Sequence, residues 1–327
     1  MSVEHRTVAS LKAQLSKFSG IISKEFRKPK KRLIKEMLYG IQASKDGKLS
    51  NISRTLKEDQ ALIKTEDRLS RNLDDEDFTD SINGEMLRLS ASRVTADMVI
   101  AIDPGDIRKR YAKKMEFLGK VYDGSEHEIG KGYPLCKAIA TDIESKQVIP
   151  LYCEAYSILA EDVKSENSQL LKLIDLLFTY LKDHGIHAID RGGDRGVLYQ
   201  KYLRDKEPKR FVIRLMKRDL IHQGRRSNCT DLAKALPTPY ETVLIVYEDG
   251  KEKKRTVSYN AIPVKLPSSS HKLSLVVVKG FGLEPMMLLT SCPLGKQRKE
   301  GIWRIVEYYL ARWKCDESYR YIKQCYH

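Results

Sequence analysis

The chain has 327 residues, 31% of them charged and 41% hydrophobic, which is typical of a soluble globular protein with about two domains. Its formal net charge of +15 favours a polyanionic partner, and nucleic acid is a commoner one than a membrane surface. No apolar run is long enough to span a bilayer and the N-terminus lacks a signal-peptide core, so neither membrane insertion nor secretion is expected. The six scattered cysteines include no Cys-x-x-Cys pair, which disfavours a structural zinc or a disulfide framework and fits a reducing cytoplasm.

Residues 1–90 are predicted to form a small basic helical domain. The densest positive cluster, 27–32, opens a helical pattern of apolar residues, and further short helices follow it. Short basic helices separated by small-residue turns are typical of helix-turn-helix-like DNA-binding modules, although any small basic helical bundle has the same pattern. The acidic run 74–77 interrupts the pattern, and a second domain is expected after it.

Residues 91–219 have the pattern of an α/β layer in which helices cover a sheet. An apolar run of strand length, 98–102, is followed by Asp103, and a second run, 186–189, is followed by Asp190. A carboxylate at the tip of a buried strand is costly unless it faces a cleft or holds a cation. For Asp103 alone, the simpler interpretation is that it begins a Pro-Gly turn.

The other elements of this domain follow from local patterns. They are a hairpin of the runs 133–140 and 147–153, a helix over 168–181, a helix over 197–203 and a strand over 211–215. Asp106 and Asp194 lie close to the two strand-tip acids in sequence. We interpret them as turn residues or as groups that support the site.

Residues 220–292 contain short apolar runs separated by turn residues, which predicts an antiparallel β insertion. Arg214, Lys217 and Arg218 make the entrance to this insertion strongly basic, and we expect them to contact DNA phosphates.

The last segment, 293–327, is predicted to return to the α/β core as one helix over 302–323. At about 100° per residue, four polar side chains share roughly one sixth of its circumference. They are Tyr309, Arg312, Asp316 and Lys323. Glu317 is rotated by about 100° from Asp316 and would leave this stripe. By itself the stripe is also compatible with a solvated face of an amphipathic helix.

Three carboxylates from separate elements can bind two divalent cations, which activate water and stabilise the leaving oxygen in phosphodiester cleavage. Hard oxygen ligands suit Mg²⁺ or Mn²⁺. Asp103, Asp190 and Asp316 are therefore the candidate catalytic and metal-ligating residues, and two ions are expected.

These motifs resemble those of the DDE transposases of bacterial insertion sequences, in the insertion-sequence-four group. Asp103 is similar to the first acid of that family, and Asp190-Arg191-Gly192 is similar to the motif of the second. The third acid of the family lies in a Tyr-x2-Arg-x3-Glu-x6-Lys motif. Tyr309, Arg312 and Lys323 match this motif in identity and spacing, with Asp316 at the Glu position.

The resemblance implies an α/β fold with a ribonuclease H-like core, an antiparallel β insertion between the second and third acids, and a preceding helical domain. It implies an enzyme that binds terminal inverted repeats in double-stranded DNA, cleaves each end and joins the 3′ ends to target DNA. Tyr309, Arg312 and Lys323 would hold phosphates, and Arg191 is counted with the DNA-binding residues. A homodimer on DNA, in the cytoplasm and associated with the bacterial nucleoid, is also implied.

Two alternatives stay open. A transposase-derived DNA-binding protein with impaired catalysis would keep the basic surfaces, and the shorter Asp at position 316 fits it. A ribonuclease H-like nuclease would share the metal site but would lack specificity for transposon ends.

Overall fold

The structure, a computed structural model, describes residues 3–75, 77–123, 128–145, 147–248 and 251–325. The chain divides into two compact units, one of Met1–Leu89 with Glu317–His327 and the other of Ser90–Asp316. The first unit is helical and the second is a mixed α/β structure, as predicted. In the described part of the chain, no helix is long and apolar enough to cross a membrane.

The first unit is organised around its second helix. Its helices are α1 (Val3–Ile22), α2 (Lys28–Ser44), α3 (Leu49–Leu56), α4 (Leu62–Asp74) and most of α5 (Thr79–Ala91). Leu33 of α2 packs with Ile52 and Leu69, whereas the next residue, Ile34, packs with Ile22 and Phe26. Because neighbouring residues on a helix point about 100° apart, α2 supplies two adjoining cores.

Among its described residues, the second unit contains twelve strands. Its elements are β1 (Val99–Arg108), β2 (Gly119–Asp123), β3 (Glu128–Thr141), β4 (Val148–Ala155), α6 (Glu166–Leu181), β5 (Ile186–Ile189), α7 (Gly196–Tyr202), β6 (Phe211–Arg214), β7 (Asp219–His222), β8 (Arg225–Asn228), α8 (Cys229–Ala235), β9 (Tyr240–Glu248), β10 (Lys251–Val264), β11 (Leu273–Lys279), β12 (Met286–Thr290), α9 (Arg298–Ala311) and the start of α10 (Trp313–Cys325). Ten strands form one sheet in the order β2-β3-β1-β5-β6-β12-β11-β10-β9, with β4 paired to β3. The central pairs β1-β5 and β5-β6 are parallel, and the other described pairs of this sheet are antiparallel.

The helices cover both faces of this sheet. On β5, Ile186 packs in a cluster with Ile305 and Val306 of α9, whereas His187 stacks on Phe178 of α6. Successive strand residues point to opposite faces, so α9 lies on one face and α6 on the other. The result is a three-layer α/β/α arrangement.

The first strand is longer than its sequence pattern indicates. The predicted end of the strand at Asp103 and the alternative of a Pro-Gly turn there are both wrong, because β1 continues to Arg108 in antiparallel register with β3. Its parallel pairing with β5 ends at Ile102. Beyond Ile102, β1 has a described strand partner on one side only, and proline is tolerated at such an edge because its missing N–H removes no ladder bond there.

The last helix is interrupted, contrary to the prediction of one continuous helix. Arg312 separates α9 from α10. Its N–H donates to the carbonyl oxygen of Tyr309 at 3.2 Å, and its own carbonyl accepts from Cys315 at 2.8 Å, both with a three-residue spacing. This tighter turn contains neither Gly nor Pro, so the local pattern gave no signal for it.

The antiparallel pairing predicted for 220–292 is confirmed, since β9 through β12 form a meander. The meander continues the central sheet because β12 pairs with β6. The three boundaries between the four segments proposed from the sequence stay predictions.

Candidate active site

Strand register brings two of the predicted acids together. Ile102 of β1 lies opposite Ile189 of β5 in parallel register, so Asp103 and Asp190 are the next pair along the two strands. Alternation from Ile186, which packs under α9, directs Asp190 to the α9 face. Asp103 shares this face because in-register neighbours on adjacent strands point the same way.

The interruption between α9 and α10 brings a guanidinium to these acids. Arg312 is only 4% exposed. Its terminal nitrogens lie 3.5 Å from an oxygen of Asp103, 3.9 Å from one of Asp190 and 3.3 Å from one of Asp316. All three predicted acids therefore meet at one arginine, although they come from β1, the end of β5 and the first turn of α10.

Asp190 is held ionised by its neighbours. The buried hydroxyl of Tyr309 donates to Asp190 Oδ1 at 2.7 Å, and Arg214 donates to the same hydroxyl at 3.3 Å. Burial alone would raise the pKa of Asp190, but the Tyr309 hydrogen bond and the charge of Arg312 outweigh it, so the pKa is lowered. Burial and the nearby carboxylate in turn raise the pKa of Tyr309 to about 12.

Asp103 has the opposite character. Burial and then repulsion by Asp316 raise its pKa to about 7, although the guanidinium of Arg312 opposes the shift. Asp103 and Asp316 are also linked by a side-chain hydrogen bond, which requires a proton on one of them. One buried guanidinium therefore does not balance the negative charge of the three carboxylates.

The donor set of this cluster is chemically suited to a hard divalent cation, since all its donors are carboxylate oxygens. Burial is the largest cause of the raised pKa of Asp103, and the charge of Asp316 adds to it; a bound cation would favour the ionised carboxylate against both effects. Among the described residues, however, no three His, Cys, Asp or Glu side chains are arranged closely enough to hold a metal ion as they stand. Arg312 lies between them instead.

The predicted basic residues have different surroundings. Arg191, Arg214, Lys217 and Arg218 all line a cavity of about 800 Å³. Arg191 and Lys217 are exposed, so their charges face solvent in this unit. Arg214 points to Tyr309, as described above.

Arg218 has a structural contact that its predicted role did not include. It donates to the nearly buried carboxylate of Asp194 and to the Asp194 carbonyl, and its guanidinium lies 4.7 Å from the centre of the Tyr199 ring. Asp194 also accepts from the N–H of Met216 at 2.9 Å. The Arg218–Asp194 pair therefore fixes the loop after β6, and a role of Asp194 in supporting the acidic site stays a prediction.

The motif residues of the last helix differ in their surroundings. Tyr309 is 1% exposed, and both it and Arg312 face the acids rather than solvent. Their predicted contact with DNA stays a prediction. The side chain of Lys323 lies outside the described residues. Asp316 contacts Arg312 and Asp103, and its choice over Glu317 as the third acid stays a prediction.

Sequence reasoning missed Lys137, which is 5% exposed on β3. It lies directly opposite Asp103 in antiparallel register, so the two side chains share a face of the sheet. The signal was a lone charge within the apolar run 135–140. Burial of a lysine is rare without a nearby charge, and this one contributes a positive charge near the acidic cluster.

Comparisons with known proteins do not identify a family. No family model matches this chain, and no curated protein gives a significant match. Its fold is similar to that of the piggyBac transposase in a cryo-EM synaptic complex with hairpin DNA, at a TM-score of 0.45 and 12% identity. The match covers 86% of this chain and 56% of that one, so the chain spans little more than half the length of that transposase.

Proposed function

We propose that this chain is a DDE-type transposase of the insertion-sequence-four group, with a ribonuclease H-like core. In this proposal it binds the terminal inverted repeats of a mobile element, cleaves DNA at each end and joins the 3′ ends to target DNA. The observation that carries the proposal is the meeting of Asp103, Asp190 and Asp316 at Arg312. The motif resemblance supports the same reaction.

Asp103, Asp190 and Asp316 would hold Mg²⁺ or Mn²⁺, as two ions. When bound, the ions supply an activated water and stabilisation of the leaving oxygen in phosphodiester hydrolysis. Because Arg312 lies between the carboxylates, it has to withdraw from at least one of them before cations can take its place. A phosphate of bound DNA offers the arginine an alternative bidentate partner.

The remaining groups orient the site and contact the substrate. Tyr309 fixes one oxygen of Asp190 by donating to it, and Arg214 steadies the Tyr309 hydroxyl. The exposed side chains of Arg191 and Lys217 would bind phosphates of the DNA strand. Lys323 would act with them, as its motif position implies.

The proposed partner is double-stranded DNA, bound by two copies of the chain in the bacterial cytoplasm. The net charge of +15 supports a polyanionic partner. The helical unit is proposed to recognise the terminal repeats, since it contains the densest run of basic residues, 27–32.

The test uses the DNA that flanks the coding sequence. Labelled duplexes from both flanks are incubated with the full chain in Mg²⁺, in Mn²⁺ and in EDTA, and nicked and joined products are separated by size. Metal-dependent nicking at an inverted repeat, followed by joining of the 3′ end to a second duplex, is the expected result.

Matched variants locate the chemistry. Asp103→Asn, Asp190→Asn and Asp316→Asn should each abolish nicking and leave DNA binding nearly unchanged, whereas Glu317→Gln should keep activity. Nicking that survives both the Asp103 and Asp190 substitutions would show that the site is wrong. End-specific binding without any nicking in either metal would support the catalytically impaired alternative, and nicking without end preference would support the nuclease.

A further inference from the structure

The first helix exposes an apolar stripe. Val8, Leu11, Leu15 and Phe18 of α1 follow one another at steps of three, four and three residues, so they share one face of the helix. Val8 is 51% exposed, Leu11 59% and Phe18 38%. Single exposed apolar residues are common, but a continuous stripe of this kind usually marks an interaction surface.

The stripe forms one wall of a groove within the helical unit. The groove has a volume of about 940 Å³, and its other wall comes from α2 and the end of α3. Leu38 and Tyr39 of α2 and Leu56 of α3 line it opposite the stripe. A groove with apolar residues on both walls matches the way an amphipathic helix is bound, with its apolar face inserted at helical spacing.

Positive charges line the same groove. Lys12, Lys35 and Lys57 are among its lining residues, which include no Asp or Glu. Some other basic side chains of this unit are paired with acids, as Arg32 and Arg68 are with Glu36. Within the described part of the chain, the three groove lysines have no ion pair.

We propose that this groove docks an acidic amphipathic helix of a partner protein. The apolar walls would bind the apolar face of that helix, and Lys12, Lys35 and Lys57 would meet acidic residues that flank it. A second copy fits less well, because its α1 would bring another Lys12 beside the same lysines. Duplex DNA fits less well, because its phosphates would have to lie against Leu11 and Phe18.

The test measures fluorescence anisotropy of labelled helical peptides with the full chain. The probe has Leu at helical spacing (i, i+3, i+4, i+7) and Glu at the flanking positions, and a second probe has Lys at those positions. The Glu probe should bind, with an affinity that falls as salt rises, and Leu11→Gln should weaken it by about tenfold or more. Ile63→Gln, which removes an equally exposed apolar side chain of α4 outside the groove, should leave binding unchanged.

A charge exchange makes the test specific. The double variant Lys35→Glu with Lys57→Glu should no longer bind the Glu probe and should instead bind the Lys probe. Unchanged binding in Leu11→Gln or in the charge exchange would overturn the proposal. A dimer of the chain that Leu11→Gln converts to monomer would assign the groove to a second copy, and displacement of the probe by duplex DNA would assign it to nucleic acid. Either result would also overturn it, without bearing on cleavage at Asp103.

Discussion

Replacement of Asp103 by Asn is expected to stabilise the metal-free protein. The pKa of Asp103 is raised from 3.8 to about 7 in the folded state. Below pH 3.8 the carboxyl is protonated in both states, and the folded state keeps its full stability. Between pH 3.8 and 7 the carboxyl is ionised in the unfolded chain but still protonated in the folded one, so the free energy of unfolding falls as pH rises. Above pH 7 the carboxyl is ionised in both states, and the stability that the protonated form contributed is lost. The shift of about three units corresponds to about 4 kcal/mol, and since Asp316 shares the interaction we expect about 2–4 kcal/mol.

Asn resembles the protonated carboxyl, so Asp103→Asn should keep the stability that the native chain loses with rising pH. The free energy of unfolding is measured by urea titration in EDTA between pH 4 and 9, with the fluorescence of Trp303 and Trp313 as the signal. The increase in the free energy of unfolding of Asp103→Asn over the native chain should be near zero at pH 4 and should reach its maximum above pH 7. Asp183→Asn is the control, because Asp183 is exposed and its pKa is lowered by the Lys209 hydrogen bond. A variant that is less stable than the native chain at pH 8, or a gain that does not depend on pH, would refute the reasoning.

Two further predictions concern the neighbours of the acids. Tyr309→Phe removes the hydrogen bond to ionised Asp190 and should cost about 1.5–3 kcal/mol at pH 7. Because the pKa of Asp190 is lowered, this cost should shrink only when the pH is low enough to protonate Asp190, and an unchanged urea midpoint at pH 7 would count against this bond. Arg218→Met removes the cation that pairs with the buried Asp194 carboxylate and should lower the free energy of unfolding by about 2–3 kcal/mol. Lys217→Met, at an exposed position, should lower it by under about 0.5 kcal/mol and should reduce the slope of log binding constant against log salt concentration for DNA by about one unit. The reverse order of the two variants in stability and in DNA binding would contradict these roles.

The meeting of Asp103 and Asp190 could be predicted because strand patterns are local. Apolar runs of four or five residues indicate buried strands, and their register puts equivalent residues side by side. The proximity of Arg312 and Asp316 could also be predicted, because residues four apart on a helix are neighbours, and their side chains are 3.3 Å apart.

Other features depend on partners that are distant in sequence. The continuation of β1 past Pro104 depends on the length of β3, because β3 still pairs with β1 there, whereas the pairing of β1 with β5 has already ended. The burial of Arg312 depends on carboxylates from two other segments. The use of Arg218 to hold Asp194 depends on a loop that folds back after β6. A pattern of basic residues predicts positive charge but does not distinguish a side chain that faces DNA from one that neutralises a buried acid.

The interruption at Arg312 has a consequence for synthesis of the protein. Asp103 and Asp190 leave the ribosome well before Arg312 and Asp316. The residues of the β1-β5 edge are therefore synthesised before the guanidinium of Arg312. If β1 and β5 pair before α9 is added, the two carboxylates lie side by side without that counter-ion, and Lys137, Arg214, solvent or protons have to offset their repulsion. The acidic cluster is therefore completed late, and a growing chain that has not yet reached residue 312 lacks the assembled site.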